Sequence, residues 1–389
     1  MEIRLVQQEE MQEAAELADS IFRDSEQISM AQGFPNLFSS VYSESLGAFD
    51  NGRLVSFMGL LPGAIRIGRA QLYTYSLGSV CTHTDSRGKG VAGDLFTAVR
   101  ERVEKAGASL LLVSGTRSLY TRAGCRPFGL IRQYTLLREH AARLKEVSGG
   151  SYTVRPYRRG DLTAMHKLAA ARVGAYEQSI WDLGLLIEAR AYGSCVKLRH
   201  QTYIAERNGV PAAFLVAALP EEGLGQVREG IRPQGAPIMM EWAGEAGGLA
   251  AMLAAVAEEN RLKQFFVPIA VHEQEVHHLL DFLPVQEQRN MGTVLILDSR
   301  LLLEQLRPYL NERSTDHSLG DRLVCEPAPE DGVTLQLPGL PGLELTGDEW
   351  TSLLFDCSGM PQHASEEWRK SLGEVFPLPF PHTAGLNYI

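Results

Sequence analysis

Two stretches about 150 residues apart repeat one local plan, and this repeat constrains the fold more than any other feature of the chain. Ile3 to Ala18, IRLVQQEEMQEAAELA, aligns with Val154 to Ala169, VRPYRRGDLTAMHKLA. Ile3-Arg4 falls on Val154-Arg155, Glu10-Met11 on Asp161-Leu162, and Leu17-Ala18 on Leu168-Ala169. Each copy reads as a short strand, a turn, and an amphipathic helix opened by an acidic residue. A second echo keeps nearly the same offset: Leu46 to Pro62 and Tyr203 to Pro220 both read as β-hairpins, around Asn51-Gly52 and Asn208-Gly209. Asn-Gly marks such turns because both central residues need positive φ. Two matches in the same order imply a tandem duplication.

Followed further, the first copy gives a strand at Gln71 to Thr82, a helix at Gly90 to Ala106, a strand at Ser109 to Ser114 and a short helix at Ser118 to Ala123. The second gives strands at Pro237 to Ala243, Phe265 to Ala270 and Thr293 to Leu297. Its helices are Leu249 to Glu259 and Glu275 to Phe282. The class is mixed α/β, of the α+β kind, with a largely antiparallel start. A third segment opens near Ser299, with a helix at Leu301 to Leu310, short strands between Val324 and Leu345, and a helix at Asp348 to Phe355. The expected division is 1–148, 149–298 and 299–389. The end of the chain, FPLPFPHTAGLNYI, holds too many prolines for regular structure and too many apolar residues for a disordered tail. It is expected to pack against another domain.

The charge balance narrows the partners. A net charge of -10 argues against binding nucleic acid or anionic membranes, which needs basic surface. The five cysteines, Cys81, Cys125, Cys195, Cys325 and Cys357, form no CxxC, which argues against a disulfide framework or a zinc knuckle. The first residues, MEIRLVQQEEMQEAAELA, are acidic and amphipathic, unlike a signal peptide, and no apolar run approaches the ~20 residues of a membrane span. The expected location is the cytoplasm; a homo-oligomer stays open. HEQEVHH (His272 to His278) is one residue too long for the zinc motif H-E-x-x-H, so His272 and His277 would face different ways on a solvated helix, and no metal is expected. RPYRRG (Arg155 to Gly160) reads as surface.

Function turns on SRGKGVAG, Ser86 to Gly93, which contains a literal G-x-G-x-x-G. A dinucleotide fingerprint needs a carboxylate at the end of the next strand, and Leu111 to Ser114 has none. A P-loop needs G-K-[ST], but Gly90 follows Lys89. Arg87, Gly88, Lys89, Gly90, Val91 and Ala92 instead satisfy [QR]-x-x-G-x-[GA], between a strand and a helix. First-turn N–H groups lack intrahelical partners and sit at the positive end of the helix dipole, which suits a pyrophosphate. A glycine-rich helix start with no ligand fits this short pattern equally well. The second motif decides: SLYTRAGCRPFG (Ser118 to Gly129) contains L-Y-x-x-x-G at Leu119, Tyr120 and Gly124.

Together the two motifs resemble the GNAT superfamily of acetyl-CoA-dependent N-acetyltransferases, over roughly residues 1 to 140. The resemblance implies tandem GNAT folds and acetyl-CoA as co-substrate, its pyrophosphate on Arg87 to Ala92. It implies backbone N–H groups in Val80, Cys81 and Thr82 at the thioester oxygen, and Tyr120 as the proton donor to sulfur. This chain departs from the family pattern at Thr84 (often Pro), in VSGT after the fifth strand (where an Asn is common and here there is none) and at Cys125 (often aromatic). The strand Gln71 to Thr82 lacks the carboxylate many members use as base; His83 follows it and is one candidate. The three-part layout is similar to the Eis-like (enhanced intracellular survival) type. That type implies a C-terminal domain like a sterol carrier protein (SCP2) and the chain's own terminal carboxylate, here on Ile389, as the base. The second copy has WAGEAGGL (Trp242 to Leu249) where the loop should be, with no Arg or Lys and with Glu245 facing a diphosphate, so one active site per chain is expected. The acceptor would be a primary amine, of a small molecule or a lysine side chain. Aminoglycosides, polyamines and small amino compounds all stay open, and GFPNLFSSVY (Gly33 to Tyr42) is expected to shape the acceptor pocket. The alternative is a non-catalytic acyl-CoA sensor on the same scaffold.

Overall fold

The repeated plan of strand, helix and hairpin becomes two seven-stranded sheets, joined by a third, three-stranded one. The computed structural model of the protein describes residues 1–39, 41–226, 229–259 and 262–389. Ser40, inside the aromatic stretch Gly33 to Tyr42, lies outside the described residues.

The first module runs β1 (Glu2–Leu5), α1 (Met11–Phe22), α2 (Met30–Gly33), β2 (Leu46–Asp50), β3 (Arg53–Ile67), β4 (Ala70–Thr82), α3 (Val91–Lys105), β5 (Leu110–Val113), α4 (Ser118–Arg122), β6 (Leu130–Leu136) and α5 (Ala141–Val147). The second runs β7 (Tyr152–Pro156), α6 (Leu162–Ala170), β8 (Gly174–Tyr176), α7 (Ile180–Ala189), α8 (Ala191–Cys195), β9 (Leu198–Arg207), β10 (Val210–Pro220), β11 (Ile238–Gly244), α9 (Ala246–Glu259), β12 (Phe265–Ala270), α10 (Gln274–Leu279), β13 (Val285–Arg289) and β14 (Thr293–Ile296). Both Asn-Gly hairpins form as the sequence implies, with φ of 49° and 81° at Asn51-Gly52 and 54° and 77° at Asn208-Gly209.

The sheets exchange strands. β14 closes the edge of the first sheet, antiparallel to β5, with Thr293 opposite Val113 and Ile296 opposite Leu110. In return β6 enters the second sheet between β12 and β13, with Phe265 opposite Leu136 and Val285 opposite Tyr134. The sequence reading gives Thr293 to Leu297 to the second copy; its pairing partner is the first. LLLV on β5 and TVLI on β14 are apolar runs, and such strands carry no alternation to name the edge they join.

The remaining chain holds α11 (Ser299–Arg313), α12 (Leu319–Arg322), β15 (Val324–Pro327), β16 (Val333–Gln336), β17 (Leu343–Leu345), α13 (Gly347–Phe355) and α14 (Glu366–Gly373). It shares one core with the first sheet: Leu302, Leu306, Trp350 and Leu354 pack with Ile65, Ile67, Leu72 and Leu112. Burying such faces contributes roughly 25 cal/mol per Å² of apolar area, so this part is docked and not tethered. The Trp350 indole N–H donates to Ser299 Oγ at 3.0 Å, and that of Trp368 to the Pro341 carbonyl at 2.9 Å, leaving both buried rings satisfied.

Candidate active site

A wedge opens in the first sheet where two parallel strands part. β4 and β5 pair from Thr74↔Leu110 to Leu77↔Val113, and the Ser114 N–H still donates to the Leu77 carbonyl at 3.1 Å. β5 then ends, while β4 continues to Thr82 against β3. A bulge sits at this divergence: Phe57 faces Cys81 but Gly59 faces Gly78, leaving Ser79 and Val80 opposite Met58 alone. Ser79 has a φ of 51°, and its buried hydroxyl has no hydrogen-bond partner among the described residues. Such bulges bend a strand and re-aim its amides. The His83 N–H donates to Val55 on β3. Strand alternation therefore turns the backbone of Thr82 and Val80 toward the wedge and that of Cys81 toward β3. The Cys81 carbonyl accepts from Ser56 Oγ at 3.0 Å, and burial pushes its thiol up to about 12.

Beyond β4 the chain reaches the glycine loop. Gly90 is the N-cap of α3 with a φ of 83°, and Gly88 has a φ of 75°; both conformations favour glycine. Arg87, Gly88, Lys89 and Gly90 are all exposed. A Cβ on Gly88, Gly90 or Gly93 would meet nothing within 4 Å, so the face of the helix start is open. The Gly90 carbonyl accepts from Gly93 and Asp94, the first helical bonds, which leaves the N–H groups of Val91 and Ala92 ahead of the ladder. Bare amides, a dipole end and two cations fit a diphosphate.

Tyr120, on α4, turns back into the module. It is 5% exposed and packs on Phe96 of α3 with ring centroids 5.9 Å apart. Its ring lies against Gly115, where a Cβ would stand 2.8 Å from Cε2. Burial pushes the phenol up to about 12, so it stays protonated through neutral pH.

The other face of the wedge is closed by the chain's own end. From Leu378, whose N–H donates to Leu354, the tail passes β8, where its Pro379 backbone fills the space a side chain on Gly174 would need. The buried Asn290 holds the next turn: its Nδ2 donates to the Pro381 carbonyl at 3.1 Å, and its Oδ1 accepts from the Thr383 N–H at 3.0 Å and Oγ1 at 2.8 Å. His382, pushed down to about 4 by burial with Arg172 adding to the effect, is neutral and donates from Nδ1 to the same oxygen at 3.1 Å. Gly385 crosses the bulge of β11, where a Cβ would come 2.9 Å from the Met240 carbonyl oxygen. Gln178 donates to Asn387 at 2.9 Å, and the Tyr388 ring lies between Phe34 and Tyr192, at 6.3 and 5.4 Å. The chain ends at Gly78. A methyl there would overlap the carboxyl carbon and oxygen of Ile389, whose side chain is buried with Phe34, Leu37, Phe57 and Cys81. Ile389 and Ser114, the residue before Gly115, line one small cavity of about 20 Å³, so the terminal carboxyl and the Tyr120 ring flank the same wedge.

On its outer side Ile389 also lines a larger cavity of about 380 Å³, walled by Phe34, Leu37 and Tyr42 of the aromatic stretch and by Tyr176 and Leu186 of the second module. His83 does not line it. Its Nε2 lies 3.2 Å from Arg53 Nη2 and its Nδ1 accepts from the Asp85 N–H at 3.3 Å, which ties it to the far end of the β3–β4 hairpin.

Residues 2–128 match the family model described as an acetyltransferase (GNAT) domain. The first module is thus similar to a GNAT domain over most of its length. The fold of most of the chain is shared with solved structures. A GCN5-related N-acetyltransferase from Kribbella flavida superposes with a TM-score of 0.56 at 15% identity, over 88% of this chain and 84% of that one. A probable N-acyltransferase from Enterococcus faecalis V583 gives 0.63 at 13%, over 90% and 86%. Eis1 from Mycobacterium abscessus gives 0.54 at 14%, over 78% and 76%. No curated protein matches by sequence.

The second module repeats the GNAT plan with its loop plugged. Tyr152 donates to Glu245 Oε2 at 2.6 Å, and Arg207 pairs with the other oxygen of that carboxylate. A Cβ on Gly248 would come 2.8 Å from that of Ala213, so its glycines serve close packing rather than an open anion face. His277 differs from the expected solvated helix. It is buried, with Nδ1 2.9 Å from the Tyr134 hydroxyl and Nε2 3.0 Å from the Ala270 carbonyl, because α10 packs on the exchanged strand β6. No cluster of three metal-ligating side chains occurs among the described residues, and no helix is long and apolar enough to cross a membrane.

Sequence reasoning passed over Gly78, Asn290 and Gly174. Gly78 carried a signal, since a glycine inside a strand marks a bulge or a close backbone approach. Asn290 and Gly174 carried none, because their partners lie on the distant tail.

Proposed function

We propose that the chain is an acetyl-CoA-dependent N-acetyltransferase with one active site, in the first module, transferring acetyl directly to a primary amine of a small molecule or a lysine side chain. The observation that carries this reading is the burial of the Ile389 carboxyl group against Gly78, at the mouth of the β4–β5 wedge. Arg87, Lys89 and the amides of Gly88, Gly90, Val91 and Ala92 would hold the pyrophosphate. Acetyl-CoA, when bound, supplies an activated thioester.

The acceptor ammonium first loses one proton to solvent; as the free amine attacks, the Ile389 carboxylate takes the proton that the nitrogen sheds. As the N–C bond forms, the wedge-facing amides of Val80 and Thr82 meet the charge on the carbonyl oxygen. As the C–S bond breaks, the Tyr120 hydroxyl gives its proton to sulfur, and solvent returns a proton from the carboxyl to the phenol. Burial in the same dry site disfavours both the phenolate and the thiolate, so it keeps the phenol neutral until sulfur develops charge. His83, held by Arg53 and Asp85, is the weaker candidate for base. The layout supports an Eis-like arrangement, with the third part, read as SCP2-like, carrying the tail.

The test is loss of the thioester with a panel of amines, comparing the full chain with one lacking Ile389. Turnover that disappears with Ile389, while calorimetry still detects acetyl-CoA binding, supports transfer. Tight binding with no turnover on any amine favours the alternative, an acyl-CoA sensor.

A further inference from the structure

The walls of the 380 Å³ cavity speak to the kind of amine, and this step rests on the transfer reading above. Most of the lining is apolar or aromatic: Phe34, Leu37, Leu61, Pro62, Leu186 and Tyr388. Two side-chain carboxylates line it, and both are committed. Glu177 Oε1 pairs with Arg66 Nε at 2.9 Å. Asp182 Oδ2 accepts from the Ser179 N–H at 2.9 Å and Oγ at 2.7 Å, capping α7. The amides of Gln178 and Asn387 are bonded to each other. The terminal carboxyl of Ile389 is therefore the one carboxylate at the inner end without a cationic or capping partner among the described residues.

We propose that the acceptor is a monoamine: one primary ammonium on a hydrophobic, arylalkyl-sized body, not a polycation. A single ammonium reaching Ile389 leaves its body against Phe34, Leu61 and Tyr388, where each buried apolar surface adds affinity. A second or third ammonium would lie against the same walls, and an unpaired charge there loses its hydration with nothing in return. The rim extends this character outward: Tyr42, which lines the cavity, is 60% exposed.

The experiment compares thiol release from acetyl-CoA with 2-phenylethylamine, spermidine and kanamycin at low ionic strength. The expected kcat/KM for phenylethylamine exceeds that for either polycation by about 100-fold, the penalty of stranding charge in an apolar pocket. Leu186→Glu, on the half-buried face of α7, should lower the phenylethylamine value by about 10-fold and raise that for spermidine. Tyr42→Glu, on the exposed rim, should move the ratio the same way if the first variant fails to fold. Polycations turned over as well as or better than phenylethylamine would overturn the monoamine assignment and leave the transfer reading standing. Acetyl-CoA binding with no turnover of any of the three would defeat both.

Discussion

The terminal carboxyl of Ile389 occupies the space that a side chain on Gly78 would take, at the point where β4 leaves β5. Gly78→Ala therefore sets a methyl against the last atoms of the chain, where it would overlap the Ile389 carboxyl carbon. The tail must withdraw. We expect kcat to fall by about 100-fold, within the usual range for removing a general base. The KM for acetyl-CoA should be nearly unchanged, because the added methyl meets Ile389 and not the loop, which begins beyond Thr82. Steady-state kinetics read the two parameters separately. A raised KM with normal kcat would place the carboxyl outside the chemistry.

Arg87 and Lys89 stand exposed beside the open start of α3. Replacing both with Gln removes charge without touching the amides. The KM for acetyl-CoA should rise about 10-fold at low salt, with kcat retained, and the difference from the parent should shrink as salt screens the parent's cations. A KM indifferent to both substitutions would mean the diphosphate lies elsewhere.

How much of this was legible follows the range of the interactions. The Asn-Gly hairpins, the loop Arg87 to Ala92 and the position of Tyr120 are local patterns, and their elements form where the sequence puts them. The strand exchange was not legible, because apolar β14 suits either sheet and only packing selects its edge, and the partners of β6, on β12 and β13, lie more than 120 residues away. Nor was the path of the tail. Its prolines exclude regular structure, yet the residues that hold it, Asn290, Gly174 and Gly78, lie far away in sequence. Ile389 entered through a family resemblance and not through any pattern in GLNYI. Its burial against β4 is a tertiary fact.

Asn290 acts as a positioning residue, since it touches the tail at Pro381, His382 and Thr383 and nothing of the wedge. Asn290→Ala leaves buried polar groups on the tail unpaired, at about 1–3 kcal/mol each. The expected result is a drop in kcat of about 10-fold with unchanged acetyl-CoA affinity. Asn290→Asp should recover part of it, as the carboxylate can still accept from Thr383 but cannot donate to Pro381. Equal kcat in all three proteins would show that the tail docks without this residue.

Lys197, 4% exposed at the start of β9, reaches into the first module to Asp24 at 2.8 Å and Glu26 at 2.9 Å. Burial works against the Asp24 carboxylate, but the Lys197 bond and the N–H groups of Arg232 and Glu26 outweigh it and hold the carboxyl below its ordinary value. A carboxyl lowered in the fold adds stability above its unfolded pKa of about 3.9, and that stability is lost as pH falls. Lys197→Met should cost about 3–5 kcal/mol at pH 7 by stranding two buried carboxylates. The gap in Tm between parent and variant should narrow below pH 4, where the parent loses the same interaction. Thermal melts from pH 7 to 3 decide it; a constant gap would mean that the lysine acts by packing alone.

Tyr120→Phe separates chemistry from packing. The ring rests on Phe96 and Gly115, and the hydroxyl makes no hydrogen bond to another described residue, so stability should change by less than about 1 kcal/mol. If the phenol gives its proton to sulfur, kcat falls by about 100-fold. With its pKa raised from 10 to about 12 by burial, the acid form persists through the assay range, so Tyr120 contributes no alkaline loss of kcat below pH 10. The low-pH limb then belongs to the base, and it should keep its midpoint in the variant while the plateau drops. A phenol that merely lines the cofactor site would behave otherwise. Its loss would raise the KM for acetyl-CoA and leave the plateau where it was, and rate–pH profiles of the two proteins distinguish these outcomes.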